Sequence, residues 1–332
     1  MTDRKKDHID FAFQSYPSDR SPDQRFYYEP FIDIHPGNEP VPFSFLNKII
    51  RVPIWVSSIT GGSERSRFIN ENLARACRKF GMGMGLGSCR SLLEDDRWIK
   101  DFDLRDILGD ELPFYANLGI SQIEEIVQTK QTKSLLHMMD RLRVDGLIIH
   151  VNPAQEWLQP EGDRQKEPPF KTIRKALDLF HFPIIVKEVG QGIGPESLRE
   201  LMRLPLEAIE FGAFGGANFA NIELMRQKNT ASSQYLKPLS LIGHNAEQMV
   251  EWINELAEWE EEVNCRQIII SGGIDNFLDG YYWIKKCHLP AIYGQASQLL
   301  KYANESYESL EEYLEAQIKG LLFADAFLKV RL

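Results

Sequence analysis

The segment 146–164, GLIIHVNPAQEWLQPEGDR, reads as a short apolar strand that runs directly into polar side chains. Its apolar residues 147–149 are followed by four polar residues, His150, Asn152, Gln155 and Glu156. These side chains can accept protons, donate hydrogen bonds and bind a metal. A buried strand that ends in such groups indicates a site built at the carboxyl end of a sheet.

The same pattern recurs eight times along the chain. Runs of β-forming residues that end in Gly, Asn or Ser-rich sequence lie at 54–56, 82–86, 113–115, 147–151, 184–186, 208–211, 268–270 and 291–293. Segments between them, such as 68–80, 246–263 and 309–328, have apolar residues at the three- and four-residue spacing of amphipathic helices. Eight strand–helix alternations predict an α/β fold, a parallel (β/α)8 TIM barrel. A doubly wound open sheet is the alternative, but it seldom needs eight alternations.

Two long segments lie outside the eight repeated units. Residues 1–50 are rich in Arg, Tyr, Phe and Pro, and we expect them to wrap the barrel as an N-terminal arm. Residues 213–244 form an insertion after the sixth strand, and a loop of that length is usually functional, often a lid. The sequence therefore predicts a single barrel domain over 1–332, with this arm and this lid-like insertion.

The composition excludes several classes of protein. Among 332 residues, 43% are hydrophobic and 26% are charged, which is ordinary for a globular chain. A net charge of −10 argues against nucleic-acid binding, so an anionic ligand must be held by local groups. No apolar run approaches the roughly 18 residues of a membrane span. The four cysteines are scattered, without zinc-ligand spacing. We expect a cytoplasmic protein without a membrane segment.

The barrel locates the chemistry at the carboxyl ends of the strands. His150 and Asn152 are two residues apart on one strand, so they project to the same side, toward the barrel mouth. Gln155 and Glu156 follow in the loop above that mouth. One carboxylate together with diphosphate oxygens and waters commonly holds Mg²⁺, which makes Glu156 a candidate ligand. Its alternative role is that of an acid in the first turn of a helix.

Further candidates lie at the other strand ends. The sequences SGGIDN and YGQASQ end strands seven and eight, where barrels often bind phosphate, although a Gly pair also marks tight turns. Lys187, at the end of strand five, could neutralise an electron-rich ring or a substrate anion. Small polar residues that could bind a planar heterocycle, or serve only as caps and turns, are Ser57, Ser58, Thr60, Ser88 and Asn117.

Four charged residues outside the strands are further candidates for the site. Arg90, just after strand two, is an anion-binding candidate because the barrel fixes its position. Arg4 and Lys5 are also candidates, although a terminus is usually mobile. Glu223, within the insertion, is an acid that could fold over the site.

These motifs occur in a recognisable order. RKKDH, ITGG, GSCR, ANLG, HVNPAQEWLQPEGD, VKEVGQGI, GGANFANIE and SGGI resemble those of type 2 isopentenyl diphosphate isomerases, which are FMN-dependent barrel enzymes. The resemblance implies interconversion of isopentenyl and dimethylallyl diphosphate in isoprenoid biosynthesis, by proton addition and elimination. It also implies reduced FMN as the proton carrier near N5, Mg²⁺, NADPH as reductant, and a homo-oligomer, usually a tetramer or octamer.

The resemblance also implies roles for individual residues. The catalytic group would be Gln155, His150 and Glu223, and Glu156 would bind Mg²⁺. Substrate contacts would come from Arg4, Lys5, Arg90, His150, Asn152 and Gln155. FMN contacts would come from Ser58, Ile59, Thr60, Ser88, Asn117, Lys187, Ala217, Gly272, Gly273, Gly294, Gln295 and Ala296.

Several positions depart from the family pattern and could together weaken FMN binding, among them Cys89 and Ser58-Ile59. Ala217 lacks a hydroxyl that would bond FMN, and Asp275 is acidic where a basic residue often follows the phosphate loop. An FMN- or prenyl-diphosphate-binding protein without activity is therefore one alternative. Another is an FMN-dependent oxidoreductase of the 2-hydroxy acid oxidase type. Those enzymes carry Ser-Asn-His-Gly-x-Arg after the lysine strand, whereas this chain reads IEFGAFGGANF there, which disfavours that alternative.

Overall fold

A closed barrel of eight parallel strands forms the centre of this computed structural model, which describes residues 2–15, 21–58, 60–61, 64–227, 230–260 and 262–331. We label the barrel strands β1 to β8 in chain order: Ile54–Val56, Gly83–Gly85, Phe114–Gly119, Gly146–His150, Ile184–Lys187, Ala208–Glu210, Ile268–Ser271 and Ala291–Gln295. Pairing of β8 with β1, for example Tyr293 with Ile54, closes the barrel. The predicted (β/α)8 fold is confirmed.

The strands are short apolar runs because both of their faces are covered. Strand β7 (IIIS) is buried along its whole length, as is β5 (IIVK). Parallel strands buried on two faces read as continuous runs of Ile and Val rather than as an alternation of polar and apolar residues. Five of the strands end in a polar residue at the carboxyl end of the barrel: His150, Lys187, Glu210, Ser271 and Gln295.

Amphipathic helices surround the strands. The longer ones are Glu64–Phe80, Ile120–Thr129, Lys133–Leu142, Pro169–Leu179, Pro195–Met202, Ala246–Trp259, Phe277–Lys286, Ser297–Glu305 and Tyr307–Phe327. Shorter helical turns are Arg90–Leu93, Ile99–Phe102, Arg105–Leu108 and Pro153–Leu158. Capping boxes at Asn245 and Asn276 define where two of the long helices begin. No helix in the described part of the chain is long and apolar enough to cross a membrane.

A hairpin in the N-terminal segment covers the amino-terminal end of the barrel. Its strands, Phe43–Phe45 and Lys48–Ile50, pair antiparallel. The main-chain N–H of Leu46 donates to Gln267 Oε1 at 2.8 Å, just before β7. Since this end is closed, access to the barrel is from the carboxyl ends of the strands.

The remaining N-terminal residues and the insertion lie around the barrel. Helix Thr2–Ala12 is exposed along the residues whose burial is described, whereas strand Phe26–Tyr28 pairs antiparallel with Leu328–Val330. The insertion contains helices Phe219–Arg226 and Ala231–Leu236 and the 3-10 turn Lys237–Leu241. Its first helix packs on the loop after β4 through a small apolar cluster of Leu158, Ala220 and Leu224. The division into arm, barrel and lid stays a prediction.

Candidate functional site

A cavity of about 300 Å³ opens at the carboxyl ends of the barrel strands. Its walls come from the ends of β1, β5, β6, β7 and β8 and from the start of the insertion. Predicted site residues that line it are Ser58, Lys187, Ala217, Gly272, Gly273, Gly294, Gln295 and Ala296. Five strands separated widely in sequence therefore converge on one cavity at the predicted mouth.

Several buried polar atoms on the wall of this cavity lack a partner. Ser57 Oγ, Ser58 Oγ and both carboxylate oxygens of Glu210 have no hydrogen bond to any described residue. Buried polar groups are normally hydrogen-bonded, and leaving them unpaired is costly. The two serine hydroxyls converge on one cavity and indicate a site for a polar ligand that supplies their missing partners, whereas the enclosed carboxylate of Glu210 lies 3.9 Å from Lys187 Nζ.

Two glycine loops meet at one side of the cavity. A Cβ atom added to Gly216 would lie 3.2 Å from Gly272 Cα, and one added to Gly272 would clash with the main-chain oxygen of Ala213. Gly272 also has φ of +92°, a conformation that side-chain-bearing residues rarely adopt. Helix Ser297–Glu305 begins beside these loops. Close-packed backbone and a helix N-terminus suit a phosphate group.

His150 ends β4 and contacts the end of β3. Its Nδ1 lies 2.7 Å from Asn117 Oδ1, so the ring donates to the amide oxygen. Burial, and secondarily the charge of Lys187, lowers the pKa of His150 to about 3. The imidazole is therefore neutral at pH 7 and acts there as a hydrogen-bonding group.

Asn152 organises the loop that follows β4. Its buried amide donates to Gln155 Oε1 at 3.0 Å and to Glu156 Oε1 at 2.9 Å. The other oxygen of Glu156 accepts the main-chain N–H of Asp163 at 2.7 Å. Asn152 thus fixes the orientation of both residues that the sequence assigns to catalysis and metal binding.

The insertion contributes an acid to this network. Gln155 Nε2 donates to Glu223 Oε1 at 3.2 Å, and Glu223 is buried. Gln155 lines a small neighbouring cavity that shares Val189, Gly190 and Phe219 with the main one. The Gln155–Glu223 pair therefore lies beside the ligand cavity.

Three residues near the site were missed in the sequence. Arg226 pairs with Glu223 (2.5 Å) and with Glu161 (2.7 Å), which joins the insertion to the loop after β4. Asp163 pairs with Arg90 at 2.8 Å. Glu210 is fully buried in β6. A charged residue inside the apolar run 208–211 was the available signal for Glu210; no local signal pointed to the other two.

Other predicted residues lie away from the main cavity. Thr60 Oγ1 is 2.9 Å from Ser66 Oγ, and Ser88 is exposed after β2. Arg4 and Lys5 lie on the exposed helix Thr2–Ala12, and neither forms a hydrogen bond or ion pair with another described residue. The structure thus does not bring these two to the cavity. Ile59 lies outside the described residues.

The described residues do not form a metal site from protein side chains alone. No group of three or more His, Cys, Asp or Glu residues among them could hold a metal ion. Glu156 would therefore need oxygen ligands from a bound molecule and from water, as the sequence-based expectation supposes.

Solved structures with this fold include a mandelate oxidase and a flavocytochrome b2. A mandelate oxidase mutant with a monooxide FMN adduct matches with a TM-score of 0.55 and 11% identity, covering 93% of this chain and 88% of that one. A flavocytochrome b2 mutant with benzoylformate matches with a TM-score of 0.61 and 14% identity, covering 92% and 75%. Identities this low establish a shared fold. No protein-family profile matches the chain.

Curated relatives are closer in sequence. The isopentenyl-diphosphate delta-isomerase of Rickettsia typhi is 30% identical over 328 residues, covering 96% of this chain and 91% of that protein. The enzyme of the same name from Rickettsia africae is 32% identical with the same coverage. That from Rickettsia canadensis is 33% identical over 302 residues, covering 90% and 83%. The chain belongs to the isopentenyl-diphosphate delta-isomerase family.

Proposed function

We propose that the chain interconverts isopentenyl diphosphate and dimethylallyl diphosphate, using reduced FMN and Mg²⁺, with NADPH as the source of electrons. The observation that carries the proposal is the cavity of unpartnered polar atoms and glycine loops beside the Gln155–Glu223 hydrogen bond. Membership of the isomerase family supports the same reaction.

The residues of the cavity fit FMN. Ser57, Ser58 and Lys187 would contact the ring, since the two hydroxyls lack other partners. The glycine loops and the start of helix Ser297–Glu305 would bind the phosphate. Ala217 and Asp275 line the cavity and are exposed. When bound in reduced form, FMN supplies an electron-rich ring that stabilises positive charge developing on the substrate.

The diphosphate would bind over the end of β4. Arg90 provides hydrogen-bond donors, and Glu156, oriented by the amide of Asn152, would hold Mg²⁺, which would offset the negative charge of the diphosphate. His150 is neutral in the free protein, and an anion placed beside it would favour its protonated form. A protonated His150 would then place positive charge beside the negatively charged diphosphate.

The reaction moves a double bond by adding one proton and removing another, so it involves no net oxidation. An alkene is a poor base, and the amide of Gln155 is too weak an acid to be the main donor. Gln155 would orient the reacting carbons, and Glu223, which accepts a hydrogen bond from Gln155 Nε2 at 3.2 Å, would be the nearby acid–base group. Catalysis would depend on stabilising the developing cation more than the substrate.

An isomerisation assay tests the proposal. Conversion of isopentenyl diphosphate should require FMN, reductant and Mg²⁺, and omitting any one should abolish it. Activity with oxidised FMN and no reductant would contradict the mechanism. Flavin-dependent oxidation of a 2-hydroxy acid would instead support an oxidase, the class with which this chain shares its fold.

We also propose that the chain acts in the cytoplasm as a homo-oligomer, a tetramer or octamer. Apolar side chains exposed on the N-terminal arm support self-association, because large exposed apolar surface is typical of interfaces. These include Phe13 and Phe31, whose side chains are 82% and 97% exposed. Light scattering on the purified protein measures the state; a monomer at micromolar concentration would contradict it.

A further inference from the structure

We infer that Glu210 is a positioning residue that offsets the charge of Lys187 and so sets how strongly the cavity favours reduced over oxidised FMN. The inference rests on the proposed flavin binding and adds a residue to that site. Glu210 is the last residue of β6 and has no exposed surface.

The two residues lie side by side in the barrel. Lys187 on β5 and Glu210 on β6 are direct neighbours in the parallel register, so their side chains project in the same direction. Lys187 Nζ lies 3.9 Å from Glu210 Oε1, beyond hydrogen-bond range, and donates instead to the main-chain oxygen of Glu188 at 3.0 Å. The side chains are 8% and 0% exposed. They form a buried charge pair without a direct hydrogen bond.

Stability does not account for a carboxylate at this position. Neither oxygen of Glu210 has a hydrogen-bond partner among the described residues. A buried ion pair without satisfied hydrogen bonds is commonly no more stable than apolar residues of similar volume. Charges retained under such conditions cluster at functional sites, where they shift the properties of a neighbouring group.

Glu210 acts through Lys187 and not by contacting a ligand. Both residues line the main cavity, but the side chain of Glu210 has no exposed surface, whereas that of Lys187 is 8% exposed. The carboxylate attracts the ammonium group and holds it 3.9 Å away, which limits how closely the ammonium group can approach the added electron density of a reduced ring. Glu188 cannot replace it, because its Oε2 accepts three main-chain N–H groups, from Gly190, Gln191 and Gly192.

The equilibrium between oxidised and reduced FMN tests this role. Bound FMN is titrated with dithionite against a reference dye, which gives the ratio of affinities for the two forms. Glu210→Gln should raise the preference for reduced FMN about tenfold, equal to about 30 mV for a two-electron couple. Asp275→Asn is the matched control, since it removes one negative charge from the exposed rim of the same cavity. Solvent screening should keep its effect within about twofold.

A second background separates action through Lys187 from other effects. In Lys187→Met, no cation remains to be offset, and Glu210→Gln should change the ratio by less than about twofold. An equal rise in both backgrounds would overturn the inference, as would an unchanged ratio in Glu210→Gln. Glu210→Asp, which keeps the charge, should restore most of the wild-type ratio.

Folding and flavin binding of the variants complete the test. If Glu210→Gln does not fold, Glu210→Ala removes the same charge and takes its place; failure of both to fold assigns the pair a structural role and overturns the inference. Wild-type protein that binds FMN in neither form would instead contradict the proposed function. If the wild-type protein binds FMN but Glu210→Gln leaves the ratio of affinities for reduced and oxidised FMN unchanged, only the role of Glu210 is contradicted.

Discussion

His150 illustrates how one side chain depends on its neighbours at the mouth of the barrel. Its Nδ1 is committed to Asn117, while burial and Lys187 disfavour a second proton. The ring is therefore neutral, and a negative charge placed beside it would favour its protonated form. Its protonation should report directly on occupation of the site.

The first prediction concerns the pKa of His150. Its Cε1–H nuclear magnetic resonance signal should keep the neutral position from pH 7 down to pH 5, since its pKa is about 3. Lys187→Met should raise this pKa without restoring the ordinary value of about 6.5, because burial is the larger cause. The signal is assigned with His150→Gln. A wild-type midpoint near pH 6.5 would show that the ring is not desolvated.

The same shift predicts acid sensitivity of the fold. Because the folded-state pKa is lower than the unfolded one, the unfolded chain binds more protons between about pH 6.5 and pH 3. Stability should therefore fall as pH falls through this window, by up to about 1.4 kcal/mol per unit. Denaturant unfolding of His150→Gln should show a shallower pH dependence than wild type. Equal slopes would argue against this linkage.

Substitution of Glu156 tests whether Mg²⁺ binding and FMN binding depend on different residues. Glu156→Gln should weaken Mg²⁺-dependent activity at least about tenfold, because a neutral amide is a poor ligand for a hard cation. FMN affinity, measured by fluorescence quenching, should stay within about twofold, since Glu156 does not line the main cavity. Glu125→Gln, an exposed acid on helix Ile120–Thr129, is the control. Loss of flavin binding in Glu156→Gln would refute this division.

At the scale of elements, the local sequence predicted which strands and helices form better than it predicted the residues at which they begin and end. Strand β3 was expected at 113–115 but extends to Gly119, because the turn-forming residues Asn117 and Gly119 pair with β4. Pairing with a neighbouring strand overrides local preference. The helix expected at 246–263 ends at Trp259. Its cap, Glu260, is extended and pairs with Arg199 and Arg203, contacts that no local pattern reveals.

The contact between the insertion and the loop after β4 carries the fourth prediction. Arg226→Met should lower kcat about tenfold by releasing Glu223 from its ion pair, while stability changes by less than about 1 kcal/mol because Arg226 is half exposed. FMN affinity should be unchanged. Arg203→Met, which breaks pairs on the outer helices, is the control. A wild-type kcat in Arg226→Met would show that Glu223 does not need this partner.

For the whole molecule, counting eight strand ends was enough to predict the topology, because parallel strands must be linked by crossovers that return to the same edge. Side-chain partners were not predictable in this way. Gln155 and Glu223 are 68 residues apart in sequence, and Lys187 and Glu210 meet only through strand register. The sequence predicts Gln155 and Glu223 as separate candidate site residues, whereas their hydrogen bond is visible only in the folded chain.

The net charge of the chain carries the last prediction. FMN bears about two negative charges on its phosphate and approaches a chain with a net charge of −10. Lys187 is the only basic side chain among the described residues that line the cavity, and it is buried, so local attraction is small. Association should therefore speed up several-fold between about 0.01 M and 0.15 M salt, as screening reduces the repulsion. Stopped-flow fluorescence measures it, with uncharged riboflavin as the control ligand, whose rate should not depend on salt. A rate for FMN that falls with salt would mean that basic groups outside the cavity, such as Arg4 and Lys5, guide the phosphate to its site.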